Sequence, residues 1–343
     1  MMASQEDVWS SVSSAVEKAL DGYNATIFTY GMTGTGKTYT MLGPRLMEAA
    51  FEGASAPSAA EFAECRRRGV VPRVVERVFQ EISTGGRSDA RVSVSYLQIY
   101  QERCYDLLRP APSAPPLRLR EDAGAVYVEG LTDSPISSAE ACYDKLIYGF
   151  SNIAFRATAF NEQSSRSHSV LTLTIQRRTA SGAIRRSRIH LVDLAGNERW
   201  DTFGPEMERS HTKELTAINR SLHVLGACVQ ALTQAPAISK KDGRQIMPHV
   251  PYRDSALTWL LKDAVTGTSA RVCMLAAVHP NHAQESASTL RYAHQYSSLQ
   301  AHTGSRVAEL TSEARQQQRK VDSLRQAFQR ALEGDEYGIA WTV

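Results

Sequence analysis

The chain has 343 residues, of which 42% are hydrophobic and 22% charged, and its formal net charge is +3. This composition is typical of a soluble globular protein with one large domain or two ordinary ones. The small net charge argues against a broad basic surface that binds nucleic acid or membranes. We therefore expect no nucleic-acid partner, and any acidic partner has to meet a local basic patch.

The five cysteines give no sign of a metal site or a redox pair, because no two of them have the C-x-x-C spacing. Their odd number and wide separation argue against a disulfide framework and favour reduced thiols in the cytoplasm. The N-terminus shows neither the basic region nor the apolar run of a signal peptide. No stretch approaches the roughly 18 apolar residues of a membrane helix, so no membrane span is expected.

Hydrophobic periodicity predicts helices and strands that alternate along the chain. A helix is expected over 5–21, a buried strand over 25–30 and a helix beginning near Tyr39. Residues 43–68 are expected to form a helix end and a surface loop. The later predictions are helices over 70–82 and 212–233, strands over 91–100, 126–128, 169–177, 188–193 and 271–278, and a Pro-rich loop over 110–116.

The alternation of strands and helices indicates an α/β fold whose central sheet is mainly parallel. The run at 271–278 is continuously apolar, which is typical of a strand covered on both faces.

Residues 31–38 fit the phosphate-binding pattern G-x4-G-K-[ST] and lie between a predicted strand and a predicted helix. Glycines allow tight turns that point backbone N–H groups at phosphate oxygens, and a helix N-terminus favours an anion. Lys37 is expected to reach the β and γ phosphates, and Thr38 to place its hydroxyl on Mg²⁺. A chance glycine-rich loop is the alternative. The predicted nucleotide-binding residues are Gly31, Met32, Thr33, Gly34, Thr35, Gly36, Lys37 and Thr38.

Two later segments carry groups suited to the same chemistry. Residues 161–168 offer hydroxyls, an amide, a guanidinium and an imidazole, which suit Mg²⁺ and an attacking water; a polar turn with helix-capping serines is the alternative. Asp193 follows an apolar strand, where an acid can hold the Mg²⁺ shell, and Gly196 can bring its N–H against the γ-phosphate. An ordinary strand-ending turn is the alternative for this second segment.

In their order and composition these segments resemble a kinesin motor domain. The resemblance covers roughly residues 5–300 and implies a three-layer P-loop NTPase fold, with a mostly parallel central sheet flanked by helices and a C-terminal helix or short coiled coil. The matching stretches are Gly22-Tyr-Asn24, 31–38, 161–168, 193–198, Ile218-Asn-Arg-Ser-Leu222, Val250-Pro-Tyr-Arg-Asp-Ser255 and Ser288-Thr-Leu-Arg-Tyr-Ala293.

The resemblance implies a microtubule-based motor ATPase that uses ATP and Mg²⁺. Thr38 and Ser165 would hold the metal directly, and Asp193 would act through a metal-bound water. After hydrolysis the loops lose their γ-phosphate contacts, and the helix at about 212–233 would transmit this change to the filament-binding face and to the segment after residue 296.

The resemblance also assigns catalytic roles. Asn161 and Ser164 would orient the lytic water, and Gly196 would contact the γ-phosphate. Arg166 and Glu198 would form a salt bridge that closes only when the γ-phosphate is present, after which Glu198 would relay a proton from the water.

The implied partner is the microtubule, whose surface is acidic, and the implied location is the cytoplasm and its cytoskeleton. The contact is expected at about 238–271, where six cations stand against three acids, a local balance of +3; a solvated loop and helix face is the alternative. The cations are Lys240, Lys241, Arg244, Arg253, Lys262 and Arg271, and the acids are Asp242, Asp254 and Asp263.

Four features depart from the family pattern. The match starts at the helix before the phosphate loop, so we expect the family's earlier strands and its Arg-x-Arg-Pro motif to be lacking and sheet edges to be unpaired. Ala256 and Trp259 stand where the pattern Pro-Tyr-Arg-Asp-Ser-Lys-Leu-Thr-Arg has cations, which is expected to weaken track binding roughly tenfold. The loop at 199–213 lacks basic, Gly-rich character, and the segment after Tyr296 lacks the usual neck-linker pattern.

Residues 306–332 place apolar side chains on the a and d positions of about four heptads, interrupted by Gln317. This pattern predicts either a short coiled coil that joins two copies into a homodimer or a single amphipathic helix packed against the domain. The expected organisation is a motor domain over 1–300 and a neck-like helical or coiled-coil segment over 301–343.

Three functions are weighed from the sequence. The first is a microtubule-stimulated motor ATPase, and the second is a degenerate kinesin-like module that binds microtubules with weak or no ATP hydrolysis. The third, a P-loop ATPase of another class such as a helicase, is disfavoured by the segments at 161–168 and 250–255. The sequence leaves direction, processivity, cargo and subfamily open.

Overall fold

The computed structural model describes residues 3–52, 65–84, 90–110, 114–122, 125–159, 166–178, 184–197, 209–233, 237–238, 245–246, 248–262 and 270–297. These residues belong to the first of two compact units, which spans Met1–Leu299. The neck-like segment expected at 301–343 and the dimer contact expected at 306–332 lie outside the described residues, and both stay predictions.

The described helices make up most of the structure that flanks the sheet. They are α1 (Gln5–Leu20), α2 (Lys37–Leu42), α3 (Pro44–Glu52), α4 (Val70–Thr84), α5 (Ala139–Ala159), α6 (Arg209–Thr233), α7 (Ala256–Leu260) and α8 (283–297). A short 3-10 helix, Tyr252–Asp254, precedes α7.

The described strands form one large sheet and two small hairpins. They are β1 (Asn24–Gly31), β2 (Arg91–Tyr100), β3 (Arg103–Asp106), β4 (Leu119–Asp122), β5 (Ala125–Val128), β6 (Ser134–Ile136), β7 (His168–Arg178), β8 (Ile184–Asp193), β9 (Ala237–Ile238), β10 (Gln245–Ile246) and β11 (Ala270–Ala277).

Local signals explain where the first elements begin and end. At the start of α1 the Ser4 hydroxyl accepts from the Asp7 N–H at 3.2 Å, while the Asp7 carboxylate accepts from the Ser4 N–H at 2.8 Å, which completes a capping box. The predicted helix at 5–21 and strand at 25–30 are confirmed. The first part of 43–68 is helical, as expected, but the helix formers after Pro44 make it a separate helix, α3, that extends to Glu52. Most of the surface loop expected after it, at 53–64, lies outside the described residues.

The central sheet has the strand order β11-β1-β8-β7-β2-β3, and β6 pairs with β2. β1 is parallel to both β11 and β8, whereas β7 is antiparallel to β8 and β2, and β3 and β6 are antiparallel to β2. The sheet is therefore mixed, and the expectation of a mostly parallel sheet is corrected. The connection at 179–183 is too short for a helical crossover between β7 and β8, so these strands pair antiparallel.

Helices cover both faces of the sheet, which confirms the three-layer α/β architecture. One core packs α1, α4 and α5 against the face that carries Ile27. The second core packs α6, α7 and α8 against the face that carries Phe28. Successive side chains of β1 therefore enter different cores, as the alternation along a strand requires.

β11 differs from its prediction. Its side chains between Val272 and Leu275 are half-buried, and within the described residues its pairing partner is β1. The apolar run at 271–278 therefore forms a strand whose faces are covered less completely than its composition indicated. Within the described part of the chain, no helix combines the length and the apolar character that a bilayer crossing needs.

Gly149 sets the approach of α5 to the sheet. A β-carbon at this position would overlap Cδ1 of the Tyr96 ring on β2, and the tyrosine is only 2% exposed, so the ring has little room to move. We expect Gly149→Ala to lower the free energy of unfolding by about 1–3 kcal/mol through overpacking, measured by urea denaturation with circular dichroism.

Gly226→Ala in α6 is the matched control, because its added β-carbon would meet the Tyr292 ring at an ordinary 3.6 Å. We expect this control to leave stability unchanged or to raise it by up to about 1 kcal/mol through helix propensity. Equal stabilities for the two variants would contradict the packing argument at Gly149.

Candidate nucleotide site

The loop between β1 and α2 closes on itself. The N–H and the hydroxyl of Thr35 both donate to the carbonyl of Met32, at 3.3 and 2.7 Å. Gly34 and Gly36 have φ of +82° and +90°, a conformation that residues with a side chain rarely adopt. Among the described residues, a β-carbon at either position would meet nothing within 4 Å, so the backbone conformation, and not space, requires glycine here.

Lys37, the first residue of α2, folds back over this loop. Its Nζ donates to the carbonyls of Gly31 and Met32, both at 2.9 Å, and the side chain is 8% exposed. The carbonyl oxygens hold the ammonium group at the loop, where phosphate oxygens can replace them as acceptors. The predicted role of Lys37 as a phosphate-binding cation is therefore compatible with its position.

Asp193 joins β8 to the phosphate loop. Its Oδ2 accepts from the Thr38 hydroxyl at 2.5 Å, and its Oδ1 accepts from the Thr29 hydroxyl at 2.9 Å. Burial raises the pKa of Asp193, while the two threonine hydroxyls and the charge of Lys37 act in the opposite direction. A carboxylate beside a hydroxyl supplies the hard oxygen ligands that Mg²⁺ prefers, so Thr38 and Asp193 fit a magnesium ion.

Thr29 is a residue that the sequence analysis missed. β1 and β8 are parallel neighbours, and Thr29 is the register partner of Asp193. The hydroxyl is completely buried and orients the carboxylate that Thr38 also contacts. Only the pairing of two strands far apart in sequence brings these groups together, so periodicity along β1 alone gave no signal.

The segment after β8 lies beside the phosphate loop. The Asn197 N–H donates to the carbonyl of Gly31 at 3.3 Å, and its side-chain amide donates to the Thr289 hydroxyl in α8 at 3.2 Å. Gly196 is buried immediately before this contact. The structure therefore brings Gly196 next to the loop at 31–38, and it connects the same segment to α8.

The structure describes only the last three residues, 166–168, of the predicted segment 161–168. Asn161, Ser164 and Ser165 lie outside the described residues, as does Glu198. Arg166 is half-buried at the start of the described part. Their proposed roles stay predictions.

His168 corrects one expectation for that segment. It begins β7 and is 3% exposed, with Nδ1 accepting from the Ala195 N–H at 3.0 Å and Nε2 at 2.7 Å from the Ser221 hydroxyl. Both ring nitrogens are engaged, so the imidazole is not available to Mg²⁺ or to an attacking water. Burial and the charge of Lys37 lower the pKa of His168 to about 3.

Comparison with known proteins identifies the family of this chain. The family model described as "Kinesin motor domain" matches residues 1–299. The chain belongs to the kinesin motor-domain family. It is 35% identical over 294 residues to kinesin-related protein 5 of Dictyostelium discoideum, covering 84% of this chain and 27% of that protein. It is 38% identical over 272 residues to the kinesin heavy chain of Gibberella moniliformis, covering 78% of this chain and 26% of that protein.

Solved kinesin structures share the fold. A fast kinesin aligns with a TM-score of 0.70 and 34% identity, covering 86% of this chain and 76% of that one. The motor and motor homology domain of Kar3Vik1 aligns with a TM-score of 0.66 and 29% identity, covering 85% and 69%. The fold is thus that of the P-loop NTPases. The chain spans about a quarter of the length of the two curated relatives named above.

In this kinesin domain the basic segment at 248–262 meets an acid that the sequence analysis missed. Glu121 of the β4–β5 hairpin accepts from Lys262 at 2.6 Å, from Arg253 at 2.8 Å and from the indole N–H of Trp259 at 3.3 Å. Hydrogen bonds from Lys262 and then Arg253 lower the pKa of Glu121 to about 2. The Lys262 ammonium also lies 5.0 Å from the Tyr252 ring centroid.

This arrangement gives a contact to Trp259, one of the two departures in α7, whereas the contact of Ala256 involves only its backbone. Trp259 ties the helix to the hairpin through its indole, in a place where the family has a cation. The Ala256 N–H donates to the Glu102 carboxylate at 2.6 Å, which caps the start of the helix. The remaining predicted cations Lys240, Lys241 and Arg244 lie outside the described residues, while Arg271 is exposed near the start of β11.

Thr29→Val tests the support of Asp193. The substitution keeps the shape of the buried side chain but removes the hydroxyl that donates to the carboxylate. We expect Mg²⁺-dependent ATP affinity to fall about tenfold, because a hydrogen bond to a charged group contributes about 1.5–3 kcal/mol. The measurement is a fluorescence titration with a labelled ATP analogue at several Mg²⁺ concentrations.

Thr26→Val on the same strand is the control. Thr26 is also buried, and among the described residues its hydroxyl has no hydrogen-bond partner, so the variant removes no hydrogen bond there. We expect wild-type affinity from it. A similar loss of ATP affinity in both variants would mean that valine at either position of β1 lowers the affinity. Removal of the hydrogen bond to Asp193 would then not be the cause.

Proposed function

We propose that this chain is a microtubule-stimulated ATPase and the motor domain of a protein that moves along microtubules. The observation that carries the proposal is the contact of Thr38 with Asp193 beside Lys37. Residues from two distant parts of the sequence thereby form the proposed phosphate and metal site. Membership of the kinesin family supports the same activity. We infer that activity from relatives that are several times longer than this chain.

In the proposed reaction, the amides of the loop at 31–38 and the ammonium of Lys37 bind the phosphates of ATP. Thr38 and Ser165 would hold Mg²⁺, and Asp193 would act through a metal-bound water. Bound Mg²⁺ neutralises charge on the β and γ phosphates. The chain itself then contributes mainly positioning and charge stabilisation, as in other phosphoryl transfers.

The remaining catalytic roles are proposed for residues on the two flanking loops. Asn161 and Ser164 would orient the attacking water, and the Gly196 N–H would donate to the γ-phosphate. Arg166 and Glu198 would close a salt bridge in the ATP state, and Glu198 would accept the proton of the water. The position of Gly196 beside the phosphate loop supports its part in this assignment.

A degenerate module that binds microtubules without turnover is the second candidate. The expectation that the family's earlier strands are lacking motivates this candidate. The described phosphate loop has the required glycines in the required conformations, and Asp193 contacts Thr38. No contact among the described residues favours the degenerate module over the active ATPase.

The proposed microtubule contact is the basic segment at about 238–271. Next to Arg253 lies a groove of about 400 Å³ whose charged lining comprises Arg118, Arg220, Arg253, Glu102 and Asp254. Release of Arg253 from Glu121 would leave three cations against two acids here, a balance that suits an acidic partner such as the tubulin surface. A cytoplasmic, microtubule-associated location and a homodimer through 306–332 belong to the same proposal, which involves no nucleic acid.

The decisive experiment is steady-state ATPase activity of the purified chain, with and without stabilised microtubules at low salt. We expect strong stimulation in the wild type and loss of turnover in Lys37→Ala and Glu198→Ala. Co-sedimentation without turnover would favour the degenerate module. Stimulation by nucleic acid in place of microtubules would overturn the proposal in favour of another ATPase class.

Glu121→Gln tests the surface electrostatics. The substitution releases Arg253 and Lys262 from a carboxylate, so we expect microtubule affinity to rise about three- to tenfold at low salt and to depend more steeply on salt. Affinity is measured by co-sedimentation over a series of salt concentrations.

Glu129→Gln is the matched control, because it removes the same charge from the end of the same hairpin. Glu129 pairs with Arg120, and both side chains are about half exposed, at 56% and 48%. We expect little change from an exposed pair of this kind. If the pairing of Arg253 and Lys262 with Glu121 lowers microtubule affinity, Glu121→Gln must not weaken binding, and the two variants must differ. Either contrary result would contradict this explanation.

A further inference from the structure

His168 forms a buried contact between two segments that the proposed reaction treats separately. Its Nδ1 accepts from the backbone N–H of Ala195 at 3.0 Å, and its Nε2 lies 2.7 Å from the hydroxyl of Ser221. His168, Ala195 and Ser221 are 3%, 2% and 1% exposed, so water does not compete for these hydrogen bonds. The two partners are 27 and 53 positions away from the histidine.

The two contacts fix the tautomer of the ring. A backbone N–H can only donate, so Nδ1 is the acceptor and carries no proton. The proton of the neutral ring is therefore on Nε2, which donates to the Ser221 hydroxyl. A protonated ring would have two N–H groups, and the Ala195 N–H would lose its acceptor.

The partners of His168 belong to elements with different tasks. Ala195 directly precedes Gly196, whose N–H is proposed to contact the γ-phosphate. Ser221 belongs to α6, and the next residue, Leu222, packs in the second core with α7 and α8, as do Val224, Leu225, Cys228 and Val229 of the same helix. A movement of the 194–197 segment toward a phosphate shifts the group that donates to Nδ1. The imidazole is rigid, so its other nitrogen conveys the shift to Ser221.

We infer that His168 is a positioning residue that couples the nucleotide-sensing segment at 194–197 to α6 through Ala195 and Ser221. The inference rests on the proposed ATP site. It adds a specific physical connection, one imidazole with two hydrogen bonds, and it assigns His168 no contact with the nucleotide, the metal or the water.

A second hydrogen bond between an imidazole and a hydroxyl serves as an internal control. The Thr172 hydroxyl lies 2.9 Å from Nδ1 of His190. These residues are register partners on β7 and β8, two strands already joined by their backbone ladder. Loss of this hydroxyl removes a partly buried imidazole contact without affecting Ala195 or α6.

The experiment measures hydrogen exchange of the α6 backbone amides, with and without the non-hydrolysable ATP analogue AMPPNP and Mg²⁺. In the wild type we expect the analogue to change the exchange rates around Ser221. In Ser221→Ala we expect that change to shrink about fivefold or more, the lower range of coupling between linked sites. Thr172→Val should retain the wild-type response, and Ser221→Thr, which keeps a hydroxyl, should restore it.

Analogue affinity and the thermal unfolding midpoint are measured on every variant. A merely structural role for Ser221 would lower the midpoint but leave the nucleotide response of α6 at its wild-type size. An equal response in Ser221→Ala and wild type would overturn the inference, as would a wild type that binds the analogue with no change in α6. Failure of the wild type to bind the analogue would refute the proposed ATP site itself, and the inference with it.

Discussion

The site depends on the Asp193 carboxylate, which accepts hydrogen bonds from Thr29 on β1 and from Thr38 at the start of α2. Both contacts exist because β8 lies parallel to β1, in a register that sets Thr29 against Asp193. Parallel strands end at the same edge of a sheet, and this edge is where α/β proteins place their ligands. The phosphate loop and the acid thus share one support, and a slip in that register would separate them.

The same edge is connected to the second core through several contacts. Tyr292 of α8 stacks on Tyr30 with ring centroids 4.6 Å apart, and Tyr296 meets the Phe28 ring edge-on at 5.4 Å. The Asn197 amide reaches Thr289 on the same helix. These aromatic and polar contacts fix α8 to the strand that leads into the phosphate loop. A change in the loop therefore has a short physical route to the last described helix.

The basic surface shows why a count of charges in sequence is a poor guide to a binding face. Residues 238–271 have a balance of +3 by composition, but Arg253 and Lys262 both donate to Glu121, which comes from a hairpin more than a hundred positions earlier. A cation paired with a carboxylate contributes less to the field that attracts an acidic partner. The strength of this surface is thus set by tertiary pairing as well as by its own residues.

The sequence alone determined the phosphate loop, because spacing and glycine conformation are local properties, and it located most helices and strands from their periodicity. Tertiary structure decided the rest. The mixed sheet, the Thr29 contact and the Glu121 cluster all depend on pairings between distant segments, which local patterns do not encode. His168 is the clearest case: its residue type indicated a polar loop group, but folding buried the ring between Ala195 and Ser221. Burial and hydrogen-bond geometry, which only the folded chain specifies, determined what that imidazole can do.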